Sequence, residues 1–223
     1  FIVPKVVLLR TLILLLLGAY ALLLASDWNR YRPRLSGITI GVGLFIASFG
    51  ISTFFGVDWY RSFWDNHERM LGFFSVFHYA LFYLIVTSVI VSWKDWRWTL
   101  RLFLFAGSIV MVIALIQQFQ SEFLLNRSGN RSAATLGNPI YVGGYGLFMA
   151  FLGWILAVYG EERKAWRVAA AVMSAFGVIG IFLSGTRGAF LGLCAGIAVM
   201  MVLYLITLKG HAGVRRVIWA TIV

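Results

Sequence analysis

The sequence predicts an all-α membrane protein, a polytopic transmembrane helix bundle with about seven complete spans and the start of another. Two observations favour this fold class. Hydrophobic residues make up 61% of the chain and charged residues only 12%, which is far from the composition of soluble globular domains. The apolar stretches recur along the chain and reach about 20 residues each, the length that a helix needs to cross a bilayer.

A transmembrane β-barrel is excluded by the residue pattern. Barrel strands alternate apolar and polar residues over segments of about 10 residues. In contrast, residues 12–17 and 197–205 are continuously apolar. The chain therefore has the pattern of helical spans.

The apolar runs place the spans in chain order, with short loops that carry Lys and Arg between them. The predicted spans cover residues 6–25, 37–55, 71–91, 99–117, 139–159, 167–184 and 188–207, and a further span opens near residue 217.

The net charge of +11 is divided among these loops instead of forming one basic stripe, so it indicates membrane topology and not nucleic-acid binding. Alternate loops carry the larger share of the basic residues, and the positive-inside rule makes those loops cytoplasmic. Residues 56–70, 118–138 and 184–188 are then expected on the outer face. The basic residues assigned to the cytoplasmic side are Arg30, Arg32, Arg34, Lys94, Arg97, Arg101, Arg163, Lys164, Arg167, Lys209, Arg215 and Arg216.

Metal and cofactor chemistry is not predicted. Cys194 is the single cysteine and lies within an apolar run, so neither an intramolecular disulfide nor a cysteine metal site can form. The sequence has no metal-ligand spacing and no nucleotide-binding fingerprint. Because Phe1 is not an initiator Met and a new apolar run has just begun at Val223, we expect residues 1–223 to be one transmembrane domain and a fragment of a longer chain.

The first outward loop carries aromatic and ionisable side chains together. Interfacial aromatic residues such as Trp59 are typical of any membrane protein. Arginine is disfavoured on the translocated side, so Arg61 and Arg69 indicate an anionic ligand, unless they pair with carboxylates of the same side. Arg61, Arg69 and His67 are therefore candidate substrate-binding residues.

The segment before the fifth span predicts a helix start at the membrane surface. Asn138 is a favoured N-cap residue, and Pro139 is favoured at the first helical position. Structure alone explains this pair. Arg131 and Tyr141 would nevertheless bring a cation and a hydroxyl to the mouth of the bundle, so Arg131, Asn138 and Tyr141 are also candidate binding residues.

The turn Ser184-Gly185-Thr186-Arg187-Gly188 places one cation at an exposed helix N-terminus between two apolar spans. Free backbone N–H groups and the positive end of the helix dipole favour phosphate at such a point, which makes Arg187 and Thr186 candidate site residues. The alternative is an arginine that only snorkels to the lipid headgroups.

His78 lies inside the third span, where an ionisable side chain is a functional candidate by default. A neutral histidine that is hydrogen-bonded within the bundle is the alternative. A single histidine with no partner motif does not define a catalytic site.

Three segments, in this order, resemble the O-antigen ligase and O-antigen polymerase family of bacterial membrane glycosyltransferases, which includes protein O-oligosaccharyltransferases. The resemblance covers about residues 50 to 205. The segments are Gly56-Val57-Asp58 through Tyr60-Arg61-Ser62-Phe63-Trp64 to Glu68-Arg69-Met70, then Thr135-Leu136-Gly137-Asn138-Pro139 with Tyr141, and finally Ser184-Gly185-Thr186-Arg187-Gly188.

This resemblance implies that a glycan is transferred from a polyprenyl diphosphate carrier to a lipid, protein or polysaccharide acceptor. The reaction would occur at the outer face of the bacterial cytoplasmic membrane, with no required metal and no nucleotide sugar. Arg187 matches the arginine that stabilises the leaving diphosphate in the family, so it is the expected catalytic residue. The family's general base is a histidine in a large external loop that these residues lack, and we therefore expect this fragment to be inactive alone.

Two alternatives from other classes stay open. A transporter or flippase of a lipid-linked or anionic substrate would also place polar groups inside a bundle, but usually near the bilayer midplane and in repeated halves. A non-catalytic scaffold would make Arg187 important for assembly and not for ligand binding.

Overall fold

The computed structural model describes residues 2–66, 70–120, 131–160 and 163–207. Within these ranges the chain is helical and contains no β-strand, which confirms the predicted all-α class. The helices are α1 (Ile2–Ser26), α2 (Trp28–Tyr31), α3 (Gly37–Phe55), α4 (Trp59–Trp64), α5 (Phe73–Val89), α6 (Trp93–Phe119), α7 (Pro139–Ile155), α8 (Lys164–Ser184) and α9 (Arg187–Thr207). A 3₁₀ turn covers Ala134–Leu136, and a π-helical turn, Leu156–Gly160, extends α7.

Each of the seven predicted complete spans corresponds to one helix. Among the described residues, 6 helices are long and apolar enough to cross a membrane, and α5 is an apolar helix of 17 residues. At about 1.5 Å per residue, α5 is close to the lower limit for a spanning helix. The chain is therefore a multi-pass membrane protein. The apolar run near residue 217 lies outside the described residues.

The helices group into two compact units, residues 1–96 and residues 97–223, which we call unit 1 and unit 2. The boundary falls within the first turns of α6. The expectation of a single transmembrane domain stays a prediction.

In unit 1, aromatic side chains fill the space between helices. Phe73 on α5 lies 6.1 Å from the ring centroids of both Phe49 and Phe54 on α3. The short helix α4 adds Phe63, whose ring is 5.7 Å from Phe74 on α5. Because bulky rings separate the backbones, α3 and α5 are held by side-chain contact.

In unit 2, two helices come into direct backbone contact. Helices α7 and α8 run antiparallel, and a Cβ atom added at Gly146 would lie 2.6 Å from the carbonyl oxygen of Gly177. Glycine at both positions permits this approach. Met111 of α6 and Met149 of α7 are fully buried in one hydrophobic cluster, and both side chains lie against glycines of α8, Gly180 and Gly177 respectively. This packing brings the C-terminal end of α8 to the N-terminal end of α7.

Candidate functional site

The candidate site of unit 2 is built on the turn between α8 and α9. Helix α8 ends at Ser184, and Gly185 follows in the left-handed conformation with φ of 56°. The Gly185 N–H donates to the carbonyl oxygen of Phe182 at 3.0 Å and closes the last helical turn. Since glycine adopts this conformation without steric cost, the chain can turn sharply and start α9 at Arg187.

Arg131, which lies between α6 and α7, forms hydrogen bonds to this turn. Its Nε donates to the carbonyl oxygen of Ser184 at 2.8 Å, and its Nη2 donates to Thr186 Oγ1 at 3.1 Å. The Thr186 hydroxyl in turn donates to the carbonyl oxygen of Pro139 at 3.3 Å. Arg131 and Thr186 are therefore brought together, and both hold the turn in place against the start of α7.

A buried glutamine supports the same loop from α6. The side chain of Gln117 is fully buried, and its Oε1 accepts hydrogen bonds from the N–H groups of Ala133 at 3.0 Å and Ala134 at 2.9 Å. Ser132 adds a hydrogen bond from its N–H to Leu183 O at 3.0 Å. Its hydroxyl donates to Ala114 O at 2.9 Å. Sequence reasoning missed Gln117, although a polar amide inside an apolar span is itself a signal of a buried partner.

Arg187 is exposed, in contrast to the engaged Arg131. Across the described part of the chain, its guanidinium group forms no hydrogen bond or ion pair. It lies at the rim of a groove of about 390 Å³ that apolar side chains line, including Phe182, Phe190 and Leu191, together with Thr186. The rings of Phe182 and Phe190 meet edge to face at 5.8 Å. A cation thus stands beside an apolar groove.

The electrostatics of this end are positive. Where the structure is described, neither Arg131 nor Arg187 is paired with a carboxylate. Thr186 precedes α9, but the hydrogen bonds of its hydroxyl in the described part of the chain are to Arg131 Nη2, from which it accepts, and to Pro139 O, and none comes from an N–H of the first turn of α9. The backbone N–H groups in the first turn of α9 therefore lack a cap from this hydroxyl and add to the positive potential.

Asn138 and Tyr141 lie at the same end of unit 2. Asn138 caps α7, as the sequence predicts, because its Oδ1 accepts the Ile140 N–H at 2.9 Å. Tyr141, in the first turn of α7, is 58% exposed. The side-chain oxygen of Asn138 is thus used to cap α7, whereas the Tyr141 side chain is exposed.

The remaining candidates lie elsewhere. Arg61 is exposed in unit 1, where it lines a separate polar pocket. His67 and Arg69 lie outside the described residues. Their assignment as binding residues stays a prediction.

Unit 1 also contains two ionisable side chains at the contact between α1 and α5. Arg10 donates from Nη2 to Ser75 Oγ at 2.6 Å and to Met70 O at 3.2 Å, and it lies 4.9 Å from the centroid of the Phe74 ring. His78 is 3% exposed, and its Nδ1 is 2.7 Å from the carbonyl oxygen of Phe74. The Arg10 Nε and the His78 Nε2 are buried and have no hydrogen-bond partner among the described residues. The sequence analysis did not predict this contact.

Comparisons of the chain with models of protein families, with curated proteins and with solved structures give no match.

Proposed function

We propose that this protein is a membrane glycosyltransferase of the O-antigen ligase type, which transfers a glycan from a polyprenyl diphosphate carrier to an acceptor at the outer face of the bacterial cytoplasmic membrane. The observation that carries the proposal is the exposed Arg187, which has no partner among the described residues and lies beside an apolar groove. The ordered sequence motifs that resemble this family also support it.

A polyprenyl diphosphate has two chemically different parts, and the groove offers a partner for each. The isoprenoid chain is apolar, and Phe182, Phe190 and Leu191 line the groove with apolar surface. The diphosphate is a multivalent anion at headgroup level, which suits the planar N–H donors of Arg187. The amphiphilic donor thus fits the groove better than a soluble nucleotide would.

In the proposed reaction an acceptor hydroxyl attacks the anomeric carbon of the glycan and releases its proton to solvent. The bond from that carbon to the diphosphate oxygen breaks, and the electron pair leaves with the diphosphate. Arg187 would stabilise the negative charge that develops on the leaving oxygen. The positive N-terminal end of α9 acts in the same direction.

Arg131 has a positioning role in this proposal. Its contacts to Ser184 O and Thr186 Oγ1 fix the turn that presents Arg187. A guanidinium group carries more N–H donors than these contacts use, so Arg131 also adds positive charge near the diphosphate. Tyr141 offers an exposed hydroxyl for a phosphate or sugar oxygen.

Direct binding tests the proposal. The purified protein in nanodiscs is titrated with a polyprenyl diphosphate, and wild type is compared with Arg187→Ala and with Arg163→Ala. Arg163 is a matched control because it is an exposed arginine that precedes the N-terminal end of α8, while Arg187 follows the C-terminal end. Both variants remove one positive charge from the same unit.

We expect Arg187→Ala to weaken binding by about ten- to a hundredfold, which corresponds to about 1.5 to 3 kcal/mol for hydrogen bonds to a charged group. Arg163→Ala should bind as wild type does, and all three proteins should have the same helical content by circular dichroism. Equal affinity of wild type and Arg187→Ala would contradict the proposal. Loss of folding or assembly in Arg187→Ala alone would favour the scaffold hypothesis.

A further inference from the structure

A second pocket lies in unit 1, at the end of α3 where α4 begins. Its volume is about 270 Å³, and its lining is mainly polar. The lining residues are Phe49, Ser52, Thr53, Arg61, Ser62, Asp65, Leu71 and Gly72. This lining contains hydroxyl, guanidinium and carboxylate groups. It therefore differs from the apolar lining of the groove in unit 2.

Several donors around this pocket have no hydrogen-bond partner among the residues that the structure describes. The Thr53 hydroxyl donates to Phe49 O at 2.8 Å, the usual arrangement within a helix. In contrast, the hydroxyl groups of Ser52 and Ser62 and the guanidinium group of Arg61 form no side-chain hydrogen bond within the described ranges. These three groups are exposed, so an incoming ligand can use their donors and acceptors without breaking an internal bond.

The charges of the lining oppose a simple anion. Asp65 contributes a carboxylate whose Oδ2 accepts the Leu71 N–H at 2.9 Å. The lining therefore contains one carboxylate and one guanidinium group, so a phosphate bound at Arg61 would also lie near a carboxylate. A neutral ligand with many hydroxyl groups is compatible with both, because each hydroxyl donates to a carboxylate and accepts from a guanidinium group.

An aromatic ring flanks the polar lining. Trp59 precedes Ser62 by three residues on α4, so the two side chains are neighbours on the helix surface. The Trp59 side chain is 56% exposed. Sugars present an apolar C–H face in addition to their hydroxyl groups, and an exposed indole provides a surface on which that face can pack.

We propose that this pocket of unit 1 is a subsite for a neutral sugar ring, with Arg61, Ser52 and Ser62 binding its hydroxyl groups. The inference deepens the proposed glycosyl transfer and rests on it for its biological role. In this inference Arg61 binds hydroxyl groups of the sugar and not the diphosphate.

The test uses the full chain in nanodiscs and free glucose, galactose and N-acetylglucosamine as probes, with binding followed by saturation-transfer difference NMR. Wild type is compared with Ser62→Ala, Arg61→Gln and the control Ser48→Ala. Ser48 is an exposed serine of α3 that lies one turn before Ser52 and does not line the pocket. Since the Ser62 hydroxyl is exposed and has no hydrogen-bond partner in the described part of the chain, Ser62→Ala should fold as wild type does.

We expect saturable binding of at least one probe. Ser62→Ala should weaken it by about fivefold, the scale of one neutral hydrogen bond. Arg61→Gln should weaken it further, and Ser48→Ala should leave it unchanged. Absence of saturable binding, or equal binding by Ser62→Ala and Ser48→Ala, would overturn the inference.

Inorganic phosphate provides the third arm. Phosphate that displaces the sugar from wild type but no longer binds to Arg61→Gln would identify an anion site and overturn the sugar assignment. Failure here is distinguishable from failure of the proposed function, because polyprenyl diphosphate binding is measured through Arg187 in unit 2.

Discussion

In unit 2 the helices α7 and α8 meet backbone to backbone, whereas in unit 1 the aromatic rings of α3 and α5 keep the backbones apart. A Cβ atom at Gly146 has no room against Gly177 O, but Phe73 of unit 1 contacts Phe49 and Phe54 through flexible side chains. Close backbone packing leaves few alternative arrangements. Unit 2 is thus suited to holding Arg187 at a fixed position.

The two units use their arginines in a similar way but line their pockets differently. In each unit one arginine is bonded to protein groups, Arg131 in unit 2 and Arg10 in unit 1, and another is exposed at a pocket. The pocket beside Arg187 is apolar and the pocket beside Arg61 is polar. Since the cation is the same, the neighbouring residues give the two pockets their different chemistry.

The largest expected effect follows from removing the buried support of the unit 2 turn. Gln117→Leu leaves the N–H groups of Ala133 and Ala134 buried without an acceptor, at a cost of about 1 to 3 kcal/mol for each donor. Removal of the unpartnered Nε2 offsets a part of this cost. We expect a clearly lower melting temperature and weaker polyprenyl diphosphate binding.

The neighbouring glutamine supplies the control for this change. Gln118 is exposed, and its Oε1 is 3.4 Å from the Ser132 hydroxyl, which has a shorter bond to Ala114 O. Gln118→Leu should therefore change the melting temperature little. Equal melting temperatures of the two leucine variants would show that Gln117 does not support the loop.

The second prediction concerns the close backbone contact between α7 and α8, which distinguishes unit 2 from unit 1. Gly146→Ala places a methyl group 2.6 Å from Gly177 O, and overpacking of this kind costs about 1 to 3 kcal/mol. Gly144→Ala on the same helix meets nothing within 4 Å and gains helix propensity. We expect Gly146→Ala to unfold at lower temperature and Gly144→Ala at the same or higher temperature. If both variants were equally stable, close backbone contact would not distinguish unit 2.

Hydropathy predicted the helices because the bilayer fixes the length of each apolar run. The sequence also predicted the start of α7, since Asn138 and Pro139 act through local backbone chemistry. It missed the first turn of α6, where Ser92 and Asp95 form reciprocal hydrogen bonds and start the helix at Trp93 instead of near residue 99. That pattern resembles a capping box, which hydropathy does not register.

The candidate site was predictable only in part. Arg131 and Thr186 were chosen as ligand-binding residues, but their contact depends on the packing of α7 against α8 and joins residues far apart in the chain. Local sequence patterns contain no information about such contacts. The support by Gln117 and the engagement of Arg10 by Ser75 were missed for the same physical reason.

The smallest expected effect concerns His78, whose sequence-based alternatives were a functional group and a buried structural histidine. Its Nδ1 contacts Phe74 O within the same helix, and its Nε2 has no partner, so replacement by phenylalanine removes a buried polar atom and keeps an aromatic ring. We expect His78→Phe to change the free energy of unfolding by less than about 1 kcal/mol and to leave polyprenyl diphosphate binding unchanged. A loss of binding at unchanged stability would instead give this buried ring of unit 1 a part in function. That result would break the division in which unit 2 alone binds the diphosphate.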